Sequence, residues 1–390
     1  MVSEYPSIGA PRPASLRVCR RLLGPLPSLP PPPADGARPA MAAPLSRALG
    51  RAGGLVRAAA SASAAEASGP AAGGAVLLYA AWGATTADAW AARLRSEAPG
   101  LDLRTPPDAF GDLRDVTHAI VWAPPHGLLR DCPNLRCIQS LGAGVDHIFA
   151  DATLPPGVPV CRIVDPLMSQ RMATYVTAGA LNFARRTEEY WKLQQAGPHW
   201  DQGVVERERD VGDVTVGVLG SGNMGATAAE MLRAVGFRVR MWSRTGRRRV
   251  DGVESFAGAE GLDAFLGGTE ILVNLLPLTP ETEGLVDAGL LAKLPAGASF
   301  INGARGAHVV DADLVAALDA GRLDRALLDV FTQEPLPEDS PYWRHPRVSI
   351  TPHSAAVTNI DTTMEQIMAN LAAARAGAPL INVVDTRHGY

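Results

Sequence analysis

Residues 214–235 constrain this chain more than any other stretch. Positions 214–219 form an apolar run of buried-strand type, and positions 223–235 carry apolar residues at helical spacing. Between them stands Gly220-Ser221-Gly222-Asn223-Met224-Gly225. A strand that passes into a helix through glycines at this spacing is a βα unit whose backbone presses close to its neighbours. Gly220 permits the tight turn, Gly222 lets the backbone approach a pyrophosphate, and Gly225 lets helix and strand pack closely. The helix N-terminus adds unpaired N–H groups and a positive dipole end, so Ser221, Asn223 and Met224 join the glycines as candidate dinucleotide-binding residues.

The same alternation runs along most of the chain. Strands are expected over 76–79, 101–104, 118–121, 135–140, 214–219, 238–242, 271–276, 299–302, 326–328 and 348–350. Helices are expected over 85–97, 165–185, 223–235, 262–266, 287–294, 311–320 and 359–375. Repeated βα units with short connections predict an α/β fold with doubly wound parallel sheets. The 390 residues allow two ordinary domains, and the helix over 165–185 is long enough to bridge them. Residues 190–210 read as a polar, Trp-containing connection.

Bulk properties narrow the partners. No apolar run reaches the roughly 18–20 residues of a membrane span. A net charge of −4 gives no sign of nucleic-acid binding. Neither a membrane nor a nucleic acid is expected as a partner. Cys132, Cys137 and Cys161 make no C-x-x-C pair and have no His at zinc spacing, so reduced thiols and no metal site are expected. Residues 1–70 differ from the rest: eight Arg face three acids, with no Lys and a run of four prolines at 30–33. This Arg-rich, acid-poor composition reads as a leader over 1–74 of transit-peptide type, with Met41 as a second start. An organelle matrix is expected, mitochondrion before plastid. A disordered tail or an upstream extension is the alternative, and would leave the chain cytoplasmic.

The strand after the glycine turn ends at Trp242 and is followed by Ser243-Arg244-Thr245, with no acid before Asp251. A site for NADH usually has an acid there to accept the ribose hydroxyls. A guanidinium between two hydroxyls suits a 2′-phosphate, so NADPH is expected, with NADH as the alternative. Three further residues stand after predicted strands, where ligands of open α/β sheets bind. They are Arg305, Glu334 and His353. Together they suit the reduction of a keto acid. His353 is a proton donor for the developing alkoxide, Glu334 holds its other ring nitrogen, and Arg305 grips the carboxylate and polarises the ketone. The amides of Gly142, Ala143 and Gly144 form a candidate anion nest for the other carboxylate oxygen.

The ordered motifs resemble the D-isomer-specific 2-hydroxyacid dehydrogenase family. They are Gly220 to Gly225, Leu276-Pro277-Leu278-Thr279-Pro280-Glu281-Thr282, Asn302-Gly303-Ala304-Arg305-Gly306, Asp329-Val330-Phe331-Thr332-Gln333-Glu334-Pro335 and Thr351-Pro352-His353-Ser354-Ala355. Val121-Trp122-Ala123-Pro124-Pro125, Leu141-Gly142-Ala143-Gly144-Val145-Asp146, Trp242-Ser243-Arg244-Thr245 and the ending Arg387-His388-Gly389-Tyr390 are similar to its glyoxylate/hydroxypyruvate reductase A group. The resemblance implies two Rossmann-like domains with a cleft between them: a substrate domain of 75–165 plus 356–390, and a cofactor domain of 166–355. It implies catalytic roles for Arg305, Glu334 and His353, cofactor contacts from Leu276 and Pro277, a nicotinamide contact from Asp329, and Trp122 at the substrate. It also implies a homodimer that reduces glyoxylate and hydroxypyruvate. Cys161-Arg162-Ile163-Val164-Asp165-Pro166 and Asn302-Gly303 depart from the group's commoner wording. D-lactate-, phosphoglycerate- and formate-type dehydrogenases are alternatives within the family. The short tail after His353, Pro352 before it and the missing acid after Trp242 stand against them. A nucleotide-sensing, co-repressor-like binding protein is the alternative of another class.

Overall fold

Parallel pairing organises the described residues. The computed structural model describes residues 73–387 except 82, 83, 107–109 and 199, and also residue 389. The leader expected over 1–74 lies outside the described residues apart from its last two, as do His388 and Tyr390 of the ending. Strands β1 (Ala75–Ala80), β2 (Leu103–Arg104), β3 (Val116–Trp122), β4 (Cys137–Ser140) and β5 (Val160–Cys161) pair in the order β2-β1-β3-β4-β5, all parallel. Strands β6 (Thr215–Leu219), β7 (Arg238–Ser243), β8 (Glu254–Ala257), β9 (Ile271–Asn274), β10 (Ala298–Asn302), β11 (Leu323–Leu328) and β12 (Val348–Ile350) form a second parallel sheet, in the order β12-β11-β10-β9-β6-β7-β8. The helices are α1 (Ala84–Glu97), α2 (Asp146–Phe149), α3 (Pro166–Arg185), α4 (Thr187–Ala196), α5 (Asn223–Val235), α6 (Gly258–Gly267), α7 (Ala288–Leu291), α8 (Asp311–Asp319) and α9 (Ile360–Ala376). Both sheets are doubly wound, as the sequence predicts.

Period-two alternation divides each strand of the larger sheet between two cores. Val216, Val218, Ile271, Val273 and Ile301 face α3 and α5. Leu272, Phe300, Ala326 and Leu328 face Phe265, Leu290, Leu314 and Leu318 on α6, α7 and α8. Burying both faces explains why these strands read as continuous apolar runs. In the smaller sheet Val76, Leu78 and Ile120 pack under α1 and α9, while Leu77, Val121 and Ile138 pack on the opposite face with Leu129 and Ile148.

Helix α3 joins the two sheets. Asp165 caps it, its carboxylate accepting the Leu167 N–H at 2.9 Å, and Pro166 starts it where the missing N–H costs nothing. Met168 on its first turn belongs to the core of the smaller sheet, whereas Met172, Val176 and Phe183 further along belong to that of the larger. After β12 the chain returns to the smaller sheet. There α9 packs on β4, Asn370 Nδ2 donates to Gln139 Oε1 at 2.9 Å, and Val384 N–H donates to Val160 O at 2.8 Å.

Some elements differ from expectation for local reasons. Residues 190–210 are not a plain connection, because α4 occupies their first part. That helix buries none of its residues, so it leaves no apolar stripe to read. The edge strand β8 has no fully buried position and gives equally little signal. The strands expected over 101–104 and 135–140 start two residues later, at Leu103 and Cys137. Among the described residues no helix is long and apolar enough to cross a membrane.

Candidate active site

Because every strand is parallel, each sheet gathers its carboxyl ends along one edge, and the candidate residues stand there. Arg305 follows β10, Asp329 and Glu334 follow β11, and His353 follows β12. Trp122 ends β3, and the Gly142-Ala143-Gly144 loop follows β4. The two edges touch. Arg305 Nε donates to both carboxylate oxygens of Asp146, at 3.0 and 3.1 Å, and the Trp122 ring meets the His353 ring edge-on with centroids 6.5 Å apart.

The expected pair is present: His353 Nδ1 lies 2.7 Å from Glu334 Oε2. The other carboxylate oxygen, Oε1, accepts the Phe331 N–H at 2.9 Å, which fixes the Glu334 rotamer. Burial pushes the Glu334 carboxyl up, but the hydrogen bonds from His353 and Phe331 outweigh it and hold the group below the usual carboxylate range. His353 itself has φ of +52°, a left-handed conformation that costs a β-carbon residue about 1–2 kcal/mol. Asp329 holds the turn in that shape. Its backbone carbonyl accepts the His353 N–H at 2.8 Å. Its carboxylate, almost fully buried, accepts from the Thr351 hydroxyl at 2.6 Å, the Ser354 N–H at 2.8 Å and the Ala355 N–H at 3.0 Å. The geometry therefore gives Asp329 work in shaping the His353 turn, beside the nicotinamide contact that resemblance implies.

Arg305 is more tightly held than the sequence suggests. Asp146 takes its Nε, and Nη1 donates to Ala304 O at 2.7 Å. Nη2 lies over Gly144, where an added Cβ would come within 1.8 Å of it. Burial pushes the Asp146 carboxyl up and Arg305 pulls it down, with a net shift downward, so the pair is ionised. Gly142 has the same steric reason, since a Cβ there would meet the Trp122 ring at 2.1 Å. The Gly142 N–H is already given to Ser140 Oγ at 3.1 Å, which removes it from the expected three-amide nest. His147, behind Trp122, has its ring 4.2 Å from the indole. Burial pushes its pKa down to about 4, with Asp146 opposing and Arg305 adding, so it is neutral at neutral pH. The sequence shows Asp146 only as the last residue of a loop motif and does not single out His147. Their role is visible only once the second sheet lies against them.

The glycine turn has the expected form. Gly220 has φ of +107° and lies so close to β9 that a Cβ would come within 2.7 Å of Leu275 O. A Cβ on Gly225 would come within 2.0 Å of Gly220 O, whereas one on Gly222 would meet nothing within 4 Å. That open side, at the N-terminus of α5, is where a pyrophosphate fits. It lies between β6 and β9, where the strand order reverses direction. Leu276 and Pro277 leave β9 beside it. Met224 of the turn is partly buried, packed against one core of each sheet. Ser243 Oγ accepts the Gly246 N–H at 3.2 Å, and Arg248 Nη1 donates to Asn223 Oδ1 at 2.7 Å. The second contact brings the loop after β7, which carries Arg244 and Thr245, down to the helix start.

Residues 177–355 match the D-isomer specific 2-hydroxyacid dehydrogenase, NAD binding domain. A glyoxylate/hydroxypyruvate reductase A of Serratia proteamaculans is 45% identical over 309 residues, 78% of this chain and 96% of that protein. The chain belongs to the D-isomer specific 2-hydroxyacid dehydrogenase family. A protein of the same name from Yersinia enterocolitica is 44% identical over 306 residues, 77% of this chain and 96% of that one. Two crystal structures are similar over most of the chain. One is a D-isomer specific 2-hydroxyacid dehydrogenase from Xanthobacter autotrophicus in complex with NADPH and MES, with TM-score 0.73 and 44% identity, covering 82% of this chain and 100% of that one. The other is an NADPH-dependent glyoxylate/hydroxypyruvate reductase from Sinorhizobium meliloti in complex with NADP and sulfate, with TM-score 0.74 and 37% identity, covering 81% and 100%. These relatives correct one expectation. They are bacterial proteins, from cells without mitochondria or plastids, so the organelle address read from the Arg-rich leader finds no support and is withdrawn.

The depressed Glu334 pKa carries a pH dependence with a definite sign. A carboxylate whose folded pKa is lowered adds stability above its unfolded value and loses it as pH falls through the folded one. The difference in thermal midpoint between wild type and Glu334→Gln is therefore expected to be largest near neutral pH and to close as pH falls below the ordinary Glu value of about 4.3. A difference that stays constant over that range contradicts the pairing.

Proposed function

We propose that this chain reduces small 2-keto acids with NADPH, taking glyoxylate to glycolate and hydroxypyruvate to D-glycerate. The observation that carries the reading is the His353–Glu334 pair, 2.7 Å apart, on the same sheet edge as Arg305. The names of the relatives and the NADPH and NADP in the two similar structures support it.

Each residue has a task its geometry suits. The glycine turn from Gly220 to Gly225 holds the pyrophosphate, with Leu276 and Pro277 along the dinucleotide and Ser243, Arg244 and Thr245 at the 2′-phosphate. The bound nicotinamide supplies a hydride. Arg305 grips the substrate carboxylate through its Nη side and polarises the ketone, while Asp146 fixes the plane of the guanidinium. The amides of Ala143 and Gly144 take the other carboxylate oxygen. His353 gives a proton to the carbonyl oxygen as the carbon is reduced, and Glu334 stabilises the imidazolium before that transfer. Trp122, edge-on to His353, walls the carbon beyond the ketone.

The two sheets support a division into a substrate domain of 75–165 plus 356–390 and a cofactor domain of 166–355. The packing of α9 on β4 supports the return of the tail to the first domain. A homodimer is proposed through the segment around α4. It exposes Trp191 at 61%, Trp200 at 91% and Val205 at 56%, large apolar side chains close together in sequence, and exposed apolar clusters mark interaction surfaces.

Three measurements test these statements. His353→Ala is expected to lose at least roughly a hundredfold in kcat with glyoxylate or hydroxypyruvate and NADPH, and unchanged turnover would remove His353 from the proton step. Arg244→Ala is expected to raise the KM for NADPH by about tenfold or more and to leave the KM for NADH little changed, and an equal effect on both refutes 2′-phosphate recognition. Light scattering is expected to give twice the chain mass for wild type and a shift toward the single chain for Trp200→Asp. A wild-type monomer would end the dimer proposal.

A further inference from the structure

His308 is fully buried on the turn after Arg305, and the mechanism above does not use it. Its two ring nitrogens face two carbonyl oxygens. Nδ1 lies 3.1 Å from Arg305 O, and Nε2 lies 3.2 Å from Pro277 O. Both partners are acceptors, and burial lowers the His308 pKa, so the neutral ring donates its single N–H to one of them and is wedged in contact with the other. The ring therefore stands as a strut between the backbone of the substrate-gripping arginine and the loop that leaves β9 along the dinucleotide.

A second route joins the same two places. Asn302 Nδ2 donates to Arg305 O at 2.9 Å, Asn274 Nδ2 donates to Asn302 Oδ1 at 3.1 Å, and Leu276 N–H donates to Asn274 Oδ1 at 3.2 Å. Asn274 and Asn302 are fully buried as well. Two buried polar routes thus leave adjacent residues of the cofactor loop, Leu276 and Pro277, and converge on one carbonyl, that of Arg305. Buried polar groups in a packed interior transmit displacement, because breaking their hydrogen bonds is costly. The turn carrying His308 has its own backbone bonds, from Gly284 N–H to Ala307 O and from Val286 N–H to His308 O, both at 2.8 Å. Its ring is therefore not needed to form the turn.

We propose that His308 is a positioning residue that couples the cofactor loop at Pro277 to Arg305, so that binding of the dinucleotide strengthens binding of the substrate carboxylate. The inference rests on the reductase reading for the identity of the two ligands. It adds a coupling between their sites, which is reciprocal and measurable as a ratio of affinities.

The test uses the full chain and oxalate, a small dicarboxylate that is not reduced. Its dissociation constant is measured calorimetrically with and without saturating NADP+. Wild type is expected to bind oxalate about tenfold tighter with NADP+ present, in the usual range of coupling between sites. His308→Leu is expected to lower that ratio severalfold, with the Asn274–Asn302 route left in place. His308→Asn keeps a donor toward Arg305 only, and His308→Gln keeps one toward Pro277 only. Each is expected to lower the ratio severalfold while the protein melts cooperatively and binds NADP+ alone as wild type does. A ratio that stays at the wild-type value in the Asn and Gln variants overturns the proposal, and a lowered melting point with that ratio intact reduces His308 to a packing role. Absence of coupling in wild type overturns it too. Failure of wild type to turn over glyoxylate and hydroxypyruvate with NADPH, by contrast, strikes the reductase reading itself.

Discussion

All strand pairs of the two sheets are parallel, and the rest of the structure follows from that. A parallel pair needs a crossover on a face of the sheet, so both faces are covered and the chain enters every strand from the same end. The exits are then on one edge. Loops after β6, β9, β10, β11 and β12 become neighbours although the ends of β6 and β12 are 131 residues apart in sequence, and the loops after β3 and β4 meet them from the other sheet. A guanidinium, an imidazole and two carboxylates are brought together by connectivity before any of them attracts another.

Chemistry at that edge requires loops that do not move, and the structure fixes them with buried polar groups more than with apolar contact. Asp329 spends its carboxylate on the turn that points His353, against the cost of a left-handed β-carbon residue. Glu334 is fixed by the Phe331 amide before it meets the imidazole. Ser140 closes the Gly142 loop on itself, accepting the Gly142 N–H and donating to Gly144 O at 3.2 Å. Each of these groups is satisfied inside its own loop or the next, which is the condition for burying a polar group at little net cost.

How much of this is legible in the sequence depends on the kind of signal. The glycine turn is legible because backbone geometry allows only glycine where a Cβ would strike Leu275 O or Gly220 O. Arg305, Glu334 and His353 are legible because they follow short strand-like stretches at 299–302, 326–328 and 348–350 and stand in ordered motifs. Helix α4 is not, because it buries nothing and is held by charges: Glu189 takes Arg186, Arg207 and Arg325 together. Asp146 is not, because its partner lies 159 residues away in another sheet. The leader illustrates the opposite error. Composition there is distinctive, but composition names an address only by association, and bacterial relatives carry the same catalytic body.

The pairing of Arg305 with Asp146 looks at first like a waste of the proposed substrate anchor, since one carboxylate already occupies the cation. Counting hydrogens removes the difficulty. A guanidinium has five N–H groups. Both oxygens of Asp146 lie on the single Nε hydrogen, and Ala304 O takes one hydrogen of Nη1. Three remain, two of them on Nη2, so the edge away from Asp146 is still a donor pair for an incoming carboxylate. What Asp146 removes is rotation. An arginine free to turn would lose entropy on gripping its substrate, and one already clamped along Nε has lost it on folding. Gly144 belongs to the same economy of space, because any side chain there would push Nη2 out of the position from which the proposed reading has it meet the substrate.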